Sequence, residues 1–243
     1  MYGKRLAGTY FAKSSIDDGI GTFFLNVTDE NTMEGFWSGY DNVNSTIATG
    51  KYIFKRQYVG FSLREATVDD FPAVIKIADA QLGDGYLTAD RLEKVLDGSL
   101  SDTLWVAAEN VTGHLIGFSL FRHIPYEEAR KIGGSPFRNM MFAKEIGYLA
   151  TVAVKESFKG LGIGTALVAK SINVMKDRGV RCFISTAWKH AGVINIGSVL
   201  ERQGFVKEAE IPRYWYESSL KEGFMCPQCG NPCTCSCVIY TKV

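Results

Sequence analysis

A glycine-rich turn offers the clearest chemistry in this 243-residue sequence. Residues 152–164 read VAVKESFKGLGIG, in which an apolar run precedes the alternating Gly160, Gly162 and Gly164, and an amphipathic stretch follows. Glycines let a backbone approach an anion closely, and a following helix points its free N–H groups and the positive end of its dipole at that anion. The spacing predicts a phosphate-binding turn, and a plain strand-to-helix turn is the alternative.

Two common phosphate-binding loops do not match this turn. The dinucleotide fingerprint G-x-G-x-x-G has a different glycine spacing. A Walker A loop ends in Gly-Lys-Ser/Thr, whereas here Thr165 follows Gly164 directly. The turn therefore predicts neither a dinucleotide-binding fold nor a P-loop.

Five of the six cysteines lie between Cys226 and Cys237, within the segment CPQCGNPCTCSC. In a reducing compartment, crowded cysteines favour metal binding over disulfides. The C-x2-C pair predicts half of a zinc site, and four thiolates would complete a closed structural site: Cys226, Cys229, Cys233 and Cys235. Cys237 or a histidine is the alternative fourth ligand, and an iron–sulfur cluster or free thiols are the alternative interpretations. The isolated Cys182 lies in an apolar run and is predicted to be a small core residue.

The bulk composition limits the partners. A net charge of +1 gives no overall attraction to nucleic acid or to anionic membranes. No stretch approaches the roughly 18 apolar residues of a membrane span, and the N-terminus has no uninterrupted apolar signal region. The sequence therefore predicts a cytoplasmic protein with no membrane partner.

Two regions that differ in their pattern of predicted strands and helices must position these groups. Residues 1–59 hold short aromatic and β-branched runs separated by Gly, Asp and Asn, which is typical of a small antiparallel β-module. Its segment GFWSGY, residues 35–40, is interpreted as part of a core rather than as a binding face. Residues 60–243 alternate strands and helices and predict one further domain, with the zinc-binding segment at 224–237.

The second region begins with a strand at Phe61 and a helix over DFPAVIKIADAQL, for which Asp70 is the predicted N-cap. A helix from Thr88 to Gly98 and a hairpin with its turn at residues 111–113 follow. The polar stretch 125–144 is predicted to be a long loop beside the site. Past the glycine turn we predict helices over TALVAKSINVMKDRG and VINIGSVLERQGF, and strands over VRCFISTAWKH, VKEAEIPRYWYESSL and CVIYTKV.

This arrangement resembles the GNAT superfamily of N-acyltransferases. The resemblance rests on the strand end at residues 152–154, the segment KGLGIG opening a helix, the strand LREA at 63–66 and the pair Gly204–Phe205. It covers most of residues 61–243. It implies an α+β (α/β) fold with a mixed, mostly antiparallel sheet flanked by helices, and it places the zinc loop in the last hairpin. It also implies direct transfer of an acetyl group from acetyl-CoA to a primary amine of a small molecule or peptide.

By position, the resemblance implies a cofactor site along the glycine turn. The backbone groups of Val152 and Val154 would pair with the pantetheine arm, and N–H groups from Lys159 to Thr165 would hold the pyrophosphate. Lys159 stands where the family usually has Arg or Gln. The implied set comprises Val152, Ala153, Val154, Lys159, Gly160, Leu161, Gly162, Ile163, Gly164, Thr165 and Asn195.

The family's usual catalytic side chains are missing from their positions. Ala150 and Thr151 stand where members often carry Glu, and Leu200 stands where members carry the Tyr that protonates the departing thiolate. Four side chains are the candidate replacements: Glu145 acting through water, His190 at a strand end, Ser198 and Tyr214.

These departures leave alternatives to the transferase. One is a CoA-binding sensor that has lost transfer chemistry, and another is an enzyme of the same fold that modifies nucleic acid bases. The oligomeric state is open, and a dimer is compatible with the sequence.

Overall fold

The computed structural model describes residues 5–11, 20–28, 32–41, 44–55, 60–97, 102–134, 137–223 and 225–243. Two compact units divide the chain, Met1–Tyr58 and Val59–Val243. The predicted domain boundary after residue 59 adjoins residues 56–59, which lie outside the described ranges.

The first unit contains an antiparallel sheet of four strands in the order β1-β2-β3-β4. The strands are β1 (Arg5–Phe11), β2 (Ile20–Val27), β3 (Thr32–Asp41) and β4 (Thr46–Lys55). The predicted β-module is therefore confirmed as an antiparallel sheet. Residues 35–40 run as continuous strand within β3.

The aromatic residues of β3 alternate between the two faces of this sheet, as the period of a strand requires. Trp37 is half-buried, covers Gly50 of β4 and has its ring centroid 6.3 Å from that of Tyr10. Phe36 and Tyr40 point to the other face and are 59% and 44% exposed. The core interpretation of this segment therefore fits Trp37, whereas its two aromatic neighbours lie on an open face.

The second unit is built on an eight-stranded sheet in the order β11-β12-β9-β8-β7-β6-β5, with the short β10 paired to β9. All neighbouring strands are antiparallel except β8 and β9, which are parallel. The predicted mixed, mostly antiparallel sheet is confirmed. Its strands are β5 (Phe61–Glu65), β6 (Thr103–Glu109), β7 (Leu115–Pro125), β8 (Glu145–Val154), β9 (Cys182–His190), β10 (Val193–Ile194), β11 (Val206–Ile211) and β12 (Ser236–Lys242).

Helices cover both faces of this sheet. They are α1 (Phe71–Leu82), α2 (Ala89–Leu96), α3 (Tyr126–Gly133), α4 (Ile163–Asp177), α5 (Gly197–Arg202) and α6 (Tyr216–Glu222). On one face Val74 of α1 and Leu92 of α2 pack against Val106 of β6. On the other face Leu167 of α4 packs against Trp105, the neighbour of Val106. Of the helices described, none is long and apolar enough to cross a membrane.

Asp70 precedes α1, but its carboxylate does not act as the predicted helix cap. It accepts hydrogen bonds from Arg64 Nη1 and Nη2 at 2.6 and 2.8 Å and from the Thr67 N–H at 2.8 Å. The Arg64 guanidinium holds the pKa of Asp70 below its usual value, against burial, which raises it. The ion pair fastens the start of α1 to the end of β5.

Three predicted elements differ from the structure. The stretch predicted as a long loop contains α3, which ends where Gly134 adopts a left-handed φ of 68°; residues 135 and 136 lie outside the described ranges. The strand predicted over residues 206–220 stops at Ile211, because Pro212 has no N–H for the ladder, and α6 follows.

The helix predicted over residues 193–205 is shortened at its start. Its first residues, Val193 and Ile194, pair as β10 with Lys189 and His190 of β9. The predicted stop of α2 at Gly98 lies outside the part of the chain that the structure describes.

Candidate active site

The parallel strands β8 and β9 open a cleft in the middle of the sheet. They pair only from Ile146 opposite Cys182 to Leu149 opposite Ser185. Beyond this point β8 continues beside β7, whereas β9 continues beside β12 and also pairs with β10 at Lys189 and His190. The facing edges of residues 150–154 and 186–188 therefore form the two walls of a V-shaped opening, in which the Asn195 N–H donates to the Trp188 carbonyl at 2.9 Å.

The glycine turn lies at the end of the β8 wall. Gly160 and Gly162 have left-handed φ angles of 78° and 84°, and a Cβ on either would meet nothing within 4 Å. No described side chain caps α4, which begins directly after Gly162. The first N–H groups of α4 are thus free, and Lys159 stands beside them with its Nζ 2.6 Å from Glu156. These features suit the binding of a phosphate group.

The cleft holds about 660 Å³ of space, open to solvent at its mouth. The Tyr86 hydroxyl lies 3.5 Å from Thr151 Oγ1 across it. Among the described residues that line it there is no Asp, Glu, Lys or Arg. They are Leu82, Tyr86, Leu149, Ala150, Thr151, Val152, Ser185, Thr186, Trp188, Asn195, Ile196, Trp215 and Cys233.

A second depression continues the cleft toward the glycine turn. The two share Trp188 and Asn195, and the second also includes Glu156, Lys159 and His190. The glycine turn and the apolar cleft are therefore parts of one continuous surface, as expected of a site that holds a long cofactor and presents its far end to an acceptor. Asn195, predicted on the cofactor side, lies where the two parts meet.

Two of the predicted catalytic residues lie outside the cleft. Glu145 is at the opposite end of β8 from the glycine turn, and its Oε2 is 3.1 Å from His123 Nε2. Ser198 is exposed on α5, where its Oγ accepts a hydrogen bond of 3.3 Å from Arg202. Neither side chain lines the apolar cleft or the adjoining depression, and neither is placed to act as a base there.

The other two predicted catalytic residues lie near the cleft but are engaged elsewhere. The Tyr214 hydroxyl donates a 2.9 Å hydrogen bond to the carbonyl of Ile132, and burial raises its pKa to about 12. The Nδ1 of His190 lies 3.5 Å from the Sγ of Cys235. His190 therefore belongs with the cysteine cluster rather than with the thioester.

Sequence reasoning missed the side chains that project into the cleft. Tyr86 comes from the turn between α1 and α2, and Trp188 and Trp215 meet edge to face with ring centroids 6.5 Å apart. The segment GDGY at residues 83–86 carried a usable signal, since an aromatic residue in a glycine turn between two helices lies where loops bind ligands. Trp188 and Trp215 carried no such signal, because the residues around each of them have the composition of an ordinary strand.

The cysteine cluster forms a compact group next to the cleft. The Sγ atoms of four cysteines all lie within 4.8 Å of one another: Cys226, Cys229, Cys233 and Cys235. A tetrahedral zinc site with Zn–S bonds of about 2.3 Å requires sulfurs about 3.8 Å apart. The separations lie on both sides of this value: Cys226 and Cys229 are 3.2 Å apart, Cys229 and Cys233 are 3.8 Å apart, and no pair exceeds 4.8 Å. Cys237, one of the alternative ligands, is fully buried in a separate core.

Backbone hydrogen bonds order the loop as they do in a metal-binding knuckle. Gly230 donates its N–H to the Cys226 carbonyl at 2.9 Å, and Thr234 donates its N–H to Cys229 Sγ at 3.2 Å. Burial raises the pKa of Cys229, but the hydrogen bonds from Thr234 and the neighbouring thiols outweigh it and lower the value to about 6.

This cysteine loop contacts the end of α1. Gly83 has a φ of 115°, and a Cβ at this position would collide with the carbonyl oxygen of Met225. Pro227 lies against the same glycine and, with Gln228, lines the depression next to the cofactor turn. The loop therefore spans from the last hairpin to α1 beside the cleft.

Known proteins with this arrangement are acetyltransferases. The family model described as "Acetyltransferase (GNAT) family" matches residues 62–205. Two relatives named N-alpha-acetyltransferase are each 25% identical: one from Sulfolobus acidocaldarius over 50% of this chain and 66% of its own, and one from Sulfurisphaera tokodaii over 64% and 86%.

A solved structure shows the same fold. The crystal structure of Arabidopsis thaliana NAA60 in complex with acetyl-CoA covers 75% of this chain and 97% of its own, with a TM-score of 0.58 at 14% identity. Together with the family match over more than half of the sequence, the splayed strands and the open glycine turn lead to one assignment: the chain belongs to the GNAT family of acetyltransferases.

Proposed function

We propose that the protein transfers the acetyl group of acetyl-CoA directly to an α-amino group, either of a peptide or of a small amine of similar pKa. Acetyl-CoA is the ligand of the Arabidopsis neighbour, and both archaeal relatives are named for the α-amine. The free edge at Val152 and Val154 suits the pantetheine arm, and the N–H groups from Lys159 to Thr165 suit the pyrophosphate.

The absence of Asp, Glu, Lys and Arg from the described lining of the cleft is the observation that favours an α-amine over a lysine side chain as the acceptor. Attack on a thioester requires a neutral amine, and no carboxylate among the described lining residues would take its proton. At pH 7.5, an α-amine with a pKa near 7.8 is about one-third neutral, whereas a lysine side chain is about 0.1% neutral. A cleft without a base therefore favours α-amines.

The reaction needs little from the side chains. The amine nitrogen attacks the thioester carbon, and the carbonyl oxygen becomes an oxyanion that a backbone N–H near Val154 stabilises. As the C–S bond breaks, the nitrogen loses its proton to water and the departing CoA sulfur gains one. The products are the amide and free CoA. Tyr86 and Thr151 are the hydroxyls placed to order that water.

A pair of matched peptides tests the proposal. One has a free α-amine and no lysine, and the other has a blocked α-amine and one lysine. We expect mass spectrometry to find acetylation of the first peptide alone, at a rate that rises with pH up to about 8. Acetylation of the lysine peptide at an equal rate would contradict the α-amine proposal. Cofactor binding without transfer to any amine would favour the CoA-binding sensor instead.

We further propose that Cys226, Cys229, Cys233 and Cys235 hold one structural zinc ion. Four thiolates leave no open position on the metal, so the ion would fix the loop rather than activate water. The S–S separations support this set, and the Cys237 position in the core argues against the alternative ligand.

Metal analysis of the purified protein tests this second proposal. We expect one zinc per chain, and we expect Cys229→Ser to lose it. Cys182→Ser is the matched control, because Cys182 lies in a strand core away from the cluster and should leave the zinc content at one. Full zinc content in Cys229→Ser, or no zinc in the unmodified protein, would contradict the assignment.

A further inference from the structure

The cysteine cluster borders the part of the cleft that the acceptor must occupy. Cys233 lines the same apolar opening as Tyr86 and Thr151. Its N–H is fixed by a 2.8 Å hydrogen bond to Ser219 Oγ of α6, so that the loop is held in place at this wall. Trp188 and Trp215, which also line the cleft, pack against the sulfur cluster.

Among the described residues that line the apolar opening, Cys233 belongs to a cluster that would carry charge once it binds a metal. The other described lining residues include no Asp, Glu, Lys or Arg. In the adjoining depression, Glu156 is paired with Lys159 at 2.6 Å, so that these two charges offset each other. Four thiolates with one divalent ion, by contrast, carry a formal charge of about −2, and the Nδ1 of His190 lies 3.5 Å from one of them, Cys235.

We propose that the zinc–thiolate group of Cys226, Cys229, Cys233 and Cys235 supplies the negative charge that draws the acceptor amine into the cleft and stabilises it there. The inference rests on the proposed transferase function and on the proposed zinc site. When the amine nitrogen forms its bond to the thioester carbon, it gains a positive charge until it loses its proton. A nearby dianion favours that charge more than the neutral ground state.

This role replaces a residue that the cleft lacks. Ala150 and Thr151 of β8 line the cleft and offer no carboxylate to the amine. The aromatic walls contributed by Tyr86, Trp188 and Trp215 are of low polarity, so that a nearby charge acts more strongly there than in bulk water. The cluster supplies charge without serving as a base, which agrees with an acceptor of which about one-third is neutral at pH 7.5.

The site's charge can be changed while its metal is retained. Replacement of one cysteine by histidine gives a Cys3His site, which still binds zinc but carries one negative charge less. Cys233→His makes this change at the cleft wall, and Cys226→His makes it at a ligand that does not line the cleft. Metal analysis establishes that each variant holds one zinc.

Two probes of equal shape report the effect of the charge. 2-Phenylethylamine is a cation at pH 7, and 2-phenylethanol is its neutral counterpart. Calorimetric titration into the zinc-loaded protein with CoA bound gives the affinity of each. We expect the ammonium to bind at least about ten-fold more tightly than the alcohol, with the preference weakening as salt increases. Both histidine variants should reduce this preference at least about three-fold and leave the alcohol's affinity unchanged.

The opposite results would overturn the inference. These are equal affinity for the two probes, no measurable binding of the ammonium, or an unchanged preference in both zinc-loaded variants. A loss confined to Cys233→His would also overturn it, because a local contact rather than the charge of the site would then be responsible. If such a protein still acetylates the α-amine peptide, this inference alone fails and the proposed function stands.

Discussion

Tyr86 is the phenol best placed to serve the reaction, since its hydroxyl lies 3.5 Å from Thr151 in a cleft whose described lining has no Asp, Glu, Lys or Arg. We expect Tyr86→Phe to lower kcat/KM for the α-amine peptide about ten-fold, because one hydroxyl that orders water or protonates the thiolate is lost. Steady-state kinetics with acetyl-CoA at saturation measures the change.

Tyr126→Phe is the control for that substitution. The Tyr126 hydroxyl donates to the Phe137 carbonyl at 3.5 Å and lies outside the cleft, so its removal should leave kcat/KM unchanged. Equal losses in the two variants would show that a missing phenol matters only through stability.

Lys159 provides a second test at the scale of single residues. It stands beside the free N–H groups at the start of α4, half exposed. We expect Lys159→Glu to weaken CoA binding about ten-fold at low salt, because a carboxylate would face the pyrophosphate, and we expect the loss to shrink at high salt. Lys176→Glu, in the last turn of the same helix, should change the affinity little. Calorimetric titration compares the two.

The ion pair between Arg64 and Asp70 fixes one whole element, because it ties the start of α1 to β5. Arg64 is 46% exposed, so solvent screening limits the contribution to about 1 kcal/mol. The pKa of Asp70 lies below its ordinary 3.8 in the folded protein. The stabilisation is therefore complete above about pH 4 and is lost as the pH falls through the lowered value.

Urea unfolding at two pH values tests this ion pair. We expect Asp70→Asn to lower the free energy of unfolding by about 1 kcal/mol at pH 7 and by progressively less toward pH 2, where the carboxyl of the unmodified protein is also protonated. A difference of the same size at both pH values would show that the charge of Asp70 is not responsible.

At the same scale, patterns read from the sequence succeeded where local chemistry decides the structure. The β-rich runs of β6 and β7 and the amphipathic pattern of α4 predict those elements, and the structure confirms them. These patterns gave wrong boundaries where one residue or one pairing overrides a longer pattern. Pro212 ends β11 within a segment whose residue types predict a longer strand. Val193 and Ile194, at the start of the segment predicted as a helix, pair with β9 as β10 instead.

The sequence could locate the cofactor turn and the cysteine site but not the cleft. The first two depend on contacts between residues close in sequence, whereas the cleft depends on contacts between residues far apart. The glycine turn and the C-x2-C knuckle are local, so their spacing shows them directly. The cleft joins Tyr86 from a turn, Trp188 from β9 and Trp215 next to α6, which are distant in sequence. Glu145 was a candidate base because it lies on β8, the strand that also provides Val152 and Val154. It is the first residue of this ten-residue strand, however, and so lies at the end opposite the cofactor edge.

The whole chain consists of two compact units, Met1–Tyr58 and Val59–Val243. Every core cluster of buried residues in the described structure is drawn from residue 61 onward. We therefore expect a chain lacking residues 1–59 to keep the thermal transition of the acetyltransferase unit within about 3 °C and to bind acetyl-CoA. Scanning calorimetry measures the temperature of the transition, and a rise in that temperature with acetyl-CoA present reports binding. Loss of the transition would show that the first unit is needed for folding of the second.

The parting of β8 and β9 has a consequence for the protein's behaviour before its cofactor arrives. Among the described residues, the edge of β8 that faces the opening has no neighbouring strand beyond Leu149, and the facing edge of β9 has none between Ser185 and the β10 pairing at Lys189 and His190. Amide protons on these edges, deep within the sheet by position, should exchange with solvent as readily as those of an outer strand. A bound cofactor that pairs with Val152 and Val154 would slow this exchange, so the ligand completes the hydrogen-bond ladder that the polypeptide leaves unfinished.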